Sequence, residues 1–242
     1  MNKKVVLITD GTEEIGNEVG VLFASKGYNI VICYNENRKK AYELRKYIKN
    51  NYNVETQVIK TDTASVKSVK KTITMVIKKF GRIDTIINNS GIVYDKDFSK
   101  ITIEEFEETF KLNIGGSFII SKEASKHMKK GSTIVNVSLT TITDDTDYNI
   151  SKLGLQSLTR DLAFELRPII RVNAVAIKLD KSLKSKRKTI KKQEKLNTIS
   201  KTIYYLSSTS SITSRIISHF SKNYNIIPYF NPFFLFKWQF IV

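Results

Sequence analysis

Short β-branched runs alternate with amphipathic segments through the first three-quarters of this 242-residue chain, and that alternation limits its possible folds more than any other feature. The runs Val5–Ile8, Ile30–Cys33, Val58–Lys60, Ile83–Ile87, Ile134–Val137 and Val172–Ala176 read as strands buried on both faces. Segments 14–26, 37–51, 65–80, 103–128 and 148–166 between them carry the helical pattern. Strand–helix alternation of this kind predicts an α/β fold, a doubly wound parallel β-sheet with helices on both faces. No internal repeat or interdomain linker interrupts it, and the length suits one domain with a large core.

Composition narrows the setting. A single cysteine, Cys33, excludes an internal disulfide and fits a reducing compartment. The start, Met1 to Lys4 followed by Val5–Ile8, mimics a signal peptide, but its apolar stretch is short and runs into Asp10, Glu13 and Glu14. It reads as a first strand, so a cytoplasmic location is expected. The net charge of +17 raises nucleic-acid binding as a function. Nine Lys or Arg lie in 178–195 against Asp180 and Glu194, with no aromatic residue among them to stack on a base. The abundance of Lys, Asn and Ile also suits an AT-rich genome. The expectation is non-specific attraction to polyanions, with no specific nucleic-acid partner.

Tyr148 and Lys152 are the chemical centre of the sequence. A spacing of four puts both side chains on one helix face, so phenol and ammonium can converge. A neighbouring cation favours the phenolate and lowers a tyrosine pKa from about 10. That suits a general acid/base for interconverting carbonyl and alcohol. Alone, the spacing arises as readily on any lysine-rich helix.

Other residues add context. The first strand leads into Thr9-Asp10-Gly11-Thr12-Glu13-Glu14-Ile15-Gly16, and Asn88-Asn89-Ser90-Gly91, Asn113 and the Tyr148/Lys152 pair follow in order. With these motifs the chain, to about residue 215, resembles the short-chain dehydrogenase/reductase family, most closely its 3-oxoacyl-acyl-carrier-protein reductases. The resemblance implies a Rossmann-like domain over 1–215 and an atypical tail over 216–242. It implies catalysis by Tyr148, Lys152 and Asn113. Lys152 would also hold the nicotinamide ribose, and Asn113 would hold a relay water or, more plainly, satisfy backbone groups at a helix kink. The cofactor would meet Thr9, Gly11, Ile15, Gly16, Asn88 and Gly91, with Asp62 on the adenine and Ser182 on the carboxamide. Where NAD-preferring relatives place an Asp, this chain has Tyr34, followed by Asn35, Arg38 and Lys39. NADP(H) is therefore expected in preference to NAD(H); the alternative is a solvated basic helix start. No metal is expected.

The departures are as specific. The first two glycines of the family's opening motif are here Asp10 and Glu14. Side chains there crowd the pyrophosphate turn, and each carboxylate repels it by about 3 kcal/mol at 5 Å and an effective dielectric of 20. Glu14 fits as well as a first-turn residue turned outwards. The family's substrate-orienting serine position is Leu139; Ser138, one residue early and facing the other side of the strand, is carried as a candidate for that catalytic role, with Thr140 and Thr141 as substitutes. Glycine is absent after Gly154, and the expected closing strand is unrecognisable. The aromatic end, 233–242, reads as a final strand, an interfacial anchor, a partner-binding tail or a frameshifted terminus. Two readings follow: an NADP(H)-dependent carbonyl reductase, or a relative that keeps only fold and partner contacts. For the first, the substrate is a small or acyl-carrier-bound carbonyl. Lys129, Lys130, Arg167 and segment 178–195 would attract an acidic carrier protein. A homo-oligomer is expected, a dimer rather than a tetramer. A weaker third reading, a membrane-surface binder, rests on the basic segment and aromatic tail.

Overall fold

The computed structural model describes residues 3–94, 96–139, 146–177, 190–209, 216–219 and 224–227. These form an eight-stranded sheet in the order β3-β2-β1-β4-β5-β6-β7-β8. The strands are β1 Val5–Ile8, β2 Asn29–Tyr34, β3 Thr56–Lys60, β4 Ile83–Asn88, β5 Met128–Leu139, β6 Ile170–Ile177, β7 Ile216–His219 and β8 Tyr224–Ile227. All neighbours pair in parallel except β7 with β8. The helices are α1 Glu14–Ser25, α2 Arg38–Asn51, α3 Val66–Phe80, α4 Ile103–Phe110, α5 Ser117–Ser125, α6 Thr146–Glu165 and α7 Ile190–Ser208. The doubly wound parallel sheet expected from the sequence is what forms.

The strand pattern explains the two layers. Side chains alternate across a strand. Val6 and Ile8 accordingly join a core with Val19 and Phe23 of α1, Leu44 and Ile48 of α2, and Ile199 and Ile203 of α7. Val5 and Leu7 point the other way, to Val69 and Ile73 of α3, Ile120 of α5 and Ala163 of α6. Each fully buried aliphatic side chain contributes about 1.5–3 kcal/mol, so neither face can be left bare. Phe23, Tyr28 and Tyr204 meet edge to face, with centroids 5.0 and 5.3 Å from Phe23, and seat α7 on α1. Arg171 donates to the Leu206 and Ser207 carbonyls, each at 2.9 Å, and satisfies the end of α7.

Three differences from the sequence reading have physical causes. The segment read as one helix over 103–128 is α4, a π-helical turn at Lys111–Gly116, and α5. Strand β5 starts at Met128, and its pairing with β4 shifts register between Ile83 and Thr85. Ile216–His219 extends the sheet beside β6, although the stretch lacks the glycine pair that marks a closing strand in the family. The aromatic tail beyond Ile227 lies outside the described residues. No helix among the described residues is long and apolar enough to cross a membrane.

Candidate active site

The sheet order reverses between β1 and β4, which leaves a crevice beyond their carboxyl ends, where open α/β sheets bind ligands. A groove of about 590 Å³ lies there, lined by Asp10, Glu14 and Ile15 on one side and Tyr148, Lys152 and Leu139 on the other. Thr9, at the end of β1, ties the two central strands together. Its Oγ1 accepts from the N–H groups of Asn89 (2.9 Å) and Ser90 (3.0 Å). Gly11 donates its N–H to the Cys33 carbonyl at 2.9 Å. Gly16 has no room for a side chain, because a Cβ would stand 2.5 Å from the Asp10 carbonyl oxygen. Asn88 is buried and donates to Asn136 (2.8 Å) and Ser121 (3.1 Å), which fixes the end of β4.

The chemical residues converge on the far side. Lys152 is 3% exposed, and its Nζ lies 5.5 Å from the Tyr148 ring centroid and 3.3 Å from the Val137 carbonyl, to which it donates. Burial lowers the lysine to about 8, and the Asp10 carboxylate acts against that. Asn113 sits in the π-helical turn, a distortion frequent at functional sites. Its Oδ1 accepts from the Ile92 N–H (2.7 Å) and its Nδ2 donates to the Ile92 carbonyl (3.1 Å). The same Nδ2 donates to Ser151 Oγ at 2.9 Å, and that hydroxyl donates to the Tyr148 carbonyl at 2.8 Å. Asn113 thus satisfies backbone and at the same time holds the turn of α6 that carries Tyr148.

Ser138 lines the groove and also ties two elements together. Its hydroxyl donates to the Lys152 carbonyl at 2.6 Å and accepts from Gln156 at 3.1 Å. It anchors α6 to β5 through these contacts. Leu139, the next residue, is 6% exposed and lines the groove. Thr140, Thr141 and Ser182 lie outside the described residues.

At the cofactor end the placements divide. Asp62 is exposed after β3, and its carboxylate accepts from the Ala64 N–H at 2.9 Å. Tyr34 is buried in the core beside α2, so its ring packs against protein. Asn35 and Arg38 are exposed at the crevice edge, and the Arg38 guanidinium leans over the Tyr42 ring at 5.5 Å. Lys40, which the sequence reading passed over, lines the groove with Glu13 and Glu14. It directly follows the Arg38 and Lys39 that the sequence singles out, and the fold shows that it reaches the groove.

Asp10 and Glu14 also part company. Asp10 has φ +44°, a left-handed conformation that suits the family's glycine and costs an L-residue about 1–2 kcal/mol. Burial pushes its carboxyl up from the usual range, the Ser90 hydroxyl hydrogen bond and Gly91 N–H work against this, and Glu13 adds to it. Its carboxyl stays in the groove. Glu14 instead turns to Lys192 of α7, Oε1 to Nζ 2.5 Å. The cradle at Gly16, the Thr9 clasp and the Tyr148–Lys152–Asn113 set fit a nicotinamide dinucleotide. Asp10 and Glu13 both line the groove and oppose its phosphates, whereas the Glu14 carboxylate there is paired with Lys192.

The sequence of residues 4–189 matches the family model described as short chain dehydrogenase. Over 188 residues the chain is 34% identical to an NADPH-dependent aldehyde reductase 1, chloroplastic, from Arabidopsis thaliana. That match covers 72% of this chain and 64% of the plant protein, so the chain spans less than two-thirds of that relative. It is 31% identical over 180 residues to the 3-oxoacyl-[acyl-carrier-protein] reductase FabG of Aquifex aeolicus, covering 72% of each. A crystal structure of a putative short-chain dehydrogenase/reductase from Burkholderia xenovorans superposes with a TM-score of 0.81 at 24% identity, covering 90% of this chain and 97% of that one. The chain belongs to the short chain dehydrogenase family, a family of oxidoreductases whose fold binds a nicotinamide cofactor.

Proposed function

We propose that the protein is an NADP(H)-dependent reductase that converts a carbonyl to an alcohol, with 3-oxoacyl thioesters on an acyl carrier as the substrate class. The observation that carries this reading is the burial of the Lys152 ammonium beside the Tyr148 ring, with Asn113 supporting the same turn through Ser151. When bound, the nicotinamide supplies the hydride. Tyr148 donates its phenolic proton to the carbonyl oxygen, and the Lys152 cation favours the phenolate left behind. On this reading Lys152 also donates to the cofactor ribose. Asn113 and Ser138 hold α6 from either side, so the tyrosine and lysine keep their positions relative to Gly91.

Preference for NADP(H) is supported by the cations Arg38, Lys39 and Lys40 at the start of α2, and by Tyr34 in place of a carboxylate at the last position of β2. The name of the plant relative points the same way. The carrier-bound substrate is supported by the bacterial relative's name and by the exposed Lys129 and Lys130. A dimer is supported by Ile150, Leu153 and Phe164, exposed at 45%, 57% and 55% on one face of α6. The decisive assay follows NADPH oxidation with a 3-oxoacyl thioester, with Tyr148→Phe as control. Turnover that falls about 10²–10⁴-fold in the variant, while NADPH affinity holds, is the expected result. Equal rates for the two proteins would contradict it.

A second reading has its own observation. The Asp10 carboxyl, in a backbone conformation suited to glycine, lines the groove that would take the dinucleotide phosphates. This favours a relative with weakened cofactor binding that keeps the fold and its partner contacts. Millimolar NADPH without binding would establish it.

A further inference from the structure

Lys192 is a lysine with 3% of its side chain exposed, and a buried cation is costly unless it is paired. Its described partner is Glu14, the first residue of α1 and the occupant of the family's second motif glycine. Gln193 repeats the link one position on, donating to Glu18 at 2.9 Å. Leu196, one turn along α7 from Lys192, lines the groove itself. This face of α7 therefore looks onto the start of α1, where Glu13 makes no side-chain cap and the first-turn N–H groups remain for an incoming anion.

We propose that Lys192 is a positioning residue for cofactor binding: by drawing the Glu14 carboxylate onto α7 and neutralising it, Lys192 keeps the first turn of α1 open to the phosphates of a nicotinamide dinucleotide. The inference rests on the cofactor reading given above. It explains how a chain with a carboxylate at this motif position keeps the rest of the site. The charge that would repel the phosphates is compensated from a helix 178 residues away in sequence. Asp10 feels the Lys152 charge of α6 but makes no direct ion pair among the described residues, so the two substitutions differ in consequence.

A double-mutant cycle tests this, with NADPH affinity read by calorimetry and unfolding temperature read in parallel without ligand. The proteins are the full chain, Lys192→Met, Glu14→Gln, the double variant, and Lys192→Arg. Lys192→Met frees an uncompensated carboxylate, and NADPH affinity is expected to fall about tenfold or more. Glu14→Gln in the same chain removes that charge, so affinity returns to within about threefold of the parent, although the clamp stays broken and the unfolding temperature stays low. Lys192→Arg keeps the charge and stays near the parent. A purely structural role would leave the double variant as weak as Lys192→Met, and that result overturns the inference. So does Lys192→Met binding as the parent does. Loss of NADPH binding in every protein, the parent and Glu14→Gln included, overturns the cofactor reading itself and this inference with it.

Discussion

The Lys152 ammonium packs so closely against Gly91 that a methyl group there would stand 2.9 Å from Nζ. A Cβ would also lie 3.3 Å from Asn113 Oδ1. One hydrogen atom on Gly91 therefore sets how lysine and asparagine share the floor of the groove. Gly91→Ala pushes Nζ from its place over the Tyr148 ring. Turnover is expected to fall at least tenfold, with a stability loss of about 1–3 kcal/mol from overpacking. Steady-state kinetics and urea titration measure both, and an alanine variant with parental turnover would break the link between this packing and catalysis.

Asp10→Gly should improve the protein twice. It removes a carboxylate from the groove, which raises NADPH affinity about tenfold or more. It also relieves the left-handed backbone, worth about 1–2 kcal/mol, less roughly 0.5–1 kcal/mol for the added freedom of glycine in the unfolded chain. Because burial holds the Asp10 carboxyl above its ordinary range, the parent should bind NADPH more tightly as pH falls through that group's titration. The glycine variant should lack that component. Calorimetry at two pH values separates the cases, and unchanged affinity in the variant would show that the carboxyl does not face the phosphates.

Lys152 gives a pH dependence of known sign. Its folded-state value of about 8 lies below the ordinary 10.5. Below 8 both folded and unfolded chains carry the proton, and the folded state bears the full cost of burying it. Between 8 and 10.5 the unfolded chain binds a proton that the folded chain does not, so this group's contribution to stability rises with pH across that window. Lys152→Met should therefore be more stable than the parent at neutral pH, by an amount on the order of 2–3 kcal/mol, with the gap closing as pH rises past 8. Turnover runs the opposite way, since it needs the cation, and should decline above about 8. Chemical denaturation of both proteins across pH 7 to about 10 tests the sign; a gap that widens with pH would contradict it.

The exposed face of α6 makes a prediction about assembly. Leu153→Glu places a charge among Ile150, Leu153 and Phe164 and should convert a dimer into monomers without lowering the unfolding temperature of the separated chain. Light scattering reads the mass. A parent that runs as a monomer, or as a sharp tetramer, would remove the dimer from the account.

What was legible in the sequence follows from what is local. Val5 to Ile8 and Ile30 to Cys33 are buried on both faces, so unbroken apolar runs announce them. Tyr148 and Lys152 lie one helical turn apart and declare a shared face by spacing alone. The resemblance announced a helix kink at Asn113, but its π-helical form was not legible, because Asn113 bonds Ile92 and Ser151 of two other segments. The duty of Ser138 was hidden for the same reason, since its partners are a carbonyl and an amide of α6. Glu14 and Lys192 are the extreme case: no periodicity links them, and only the seating of α7 on α1 brings them to 2.5 Å. The strand at Ile216–His219 escaped because the sheet offers β6 an edge to be paired, while the segment itself lacks the family's glycines.

The most direct test of the account is the affinity of the purified protein for NADPH, measured by calorimetry with NADH as the comparison. The account predicts saturable binding of NADPH, at least about tenfold tighter than NADH, through charge at the start of α2 and with Glu14 held on Lys192. Absence of binding at millimolar NADPH would contradict it, because Tyr148 and Lys152 would then have no hydride to work with.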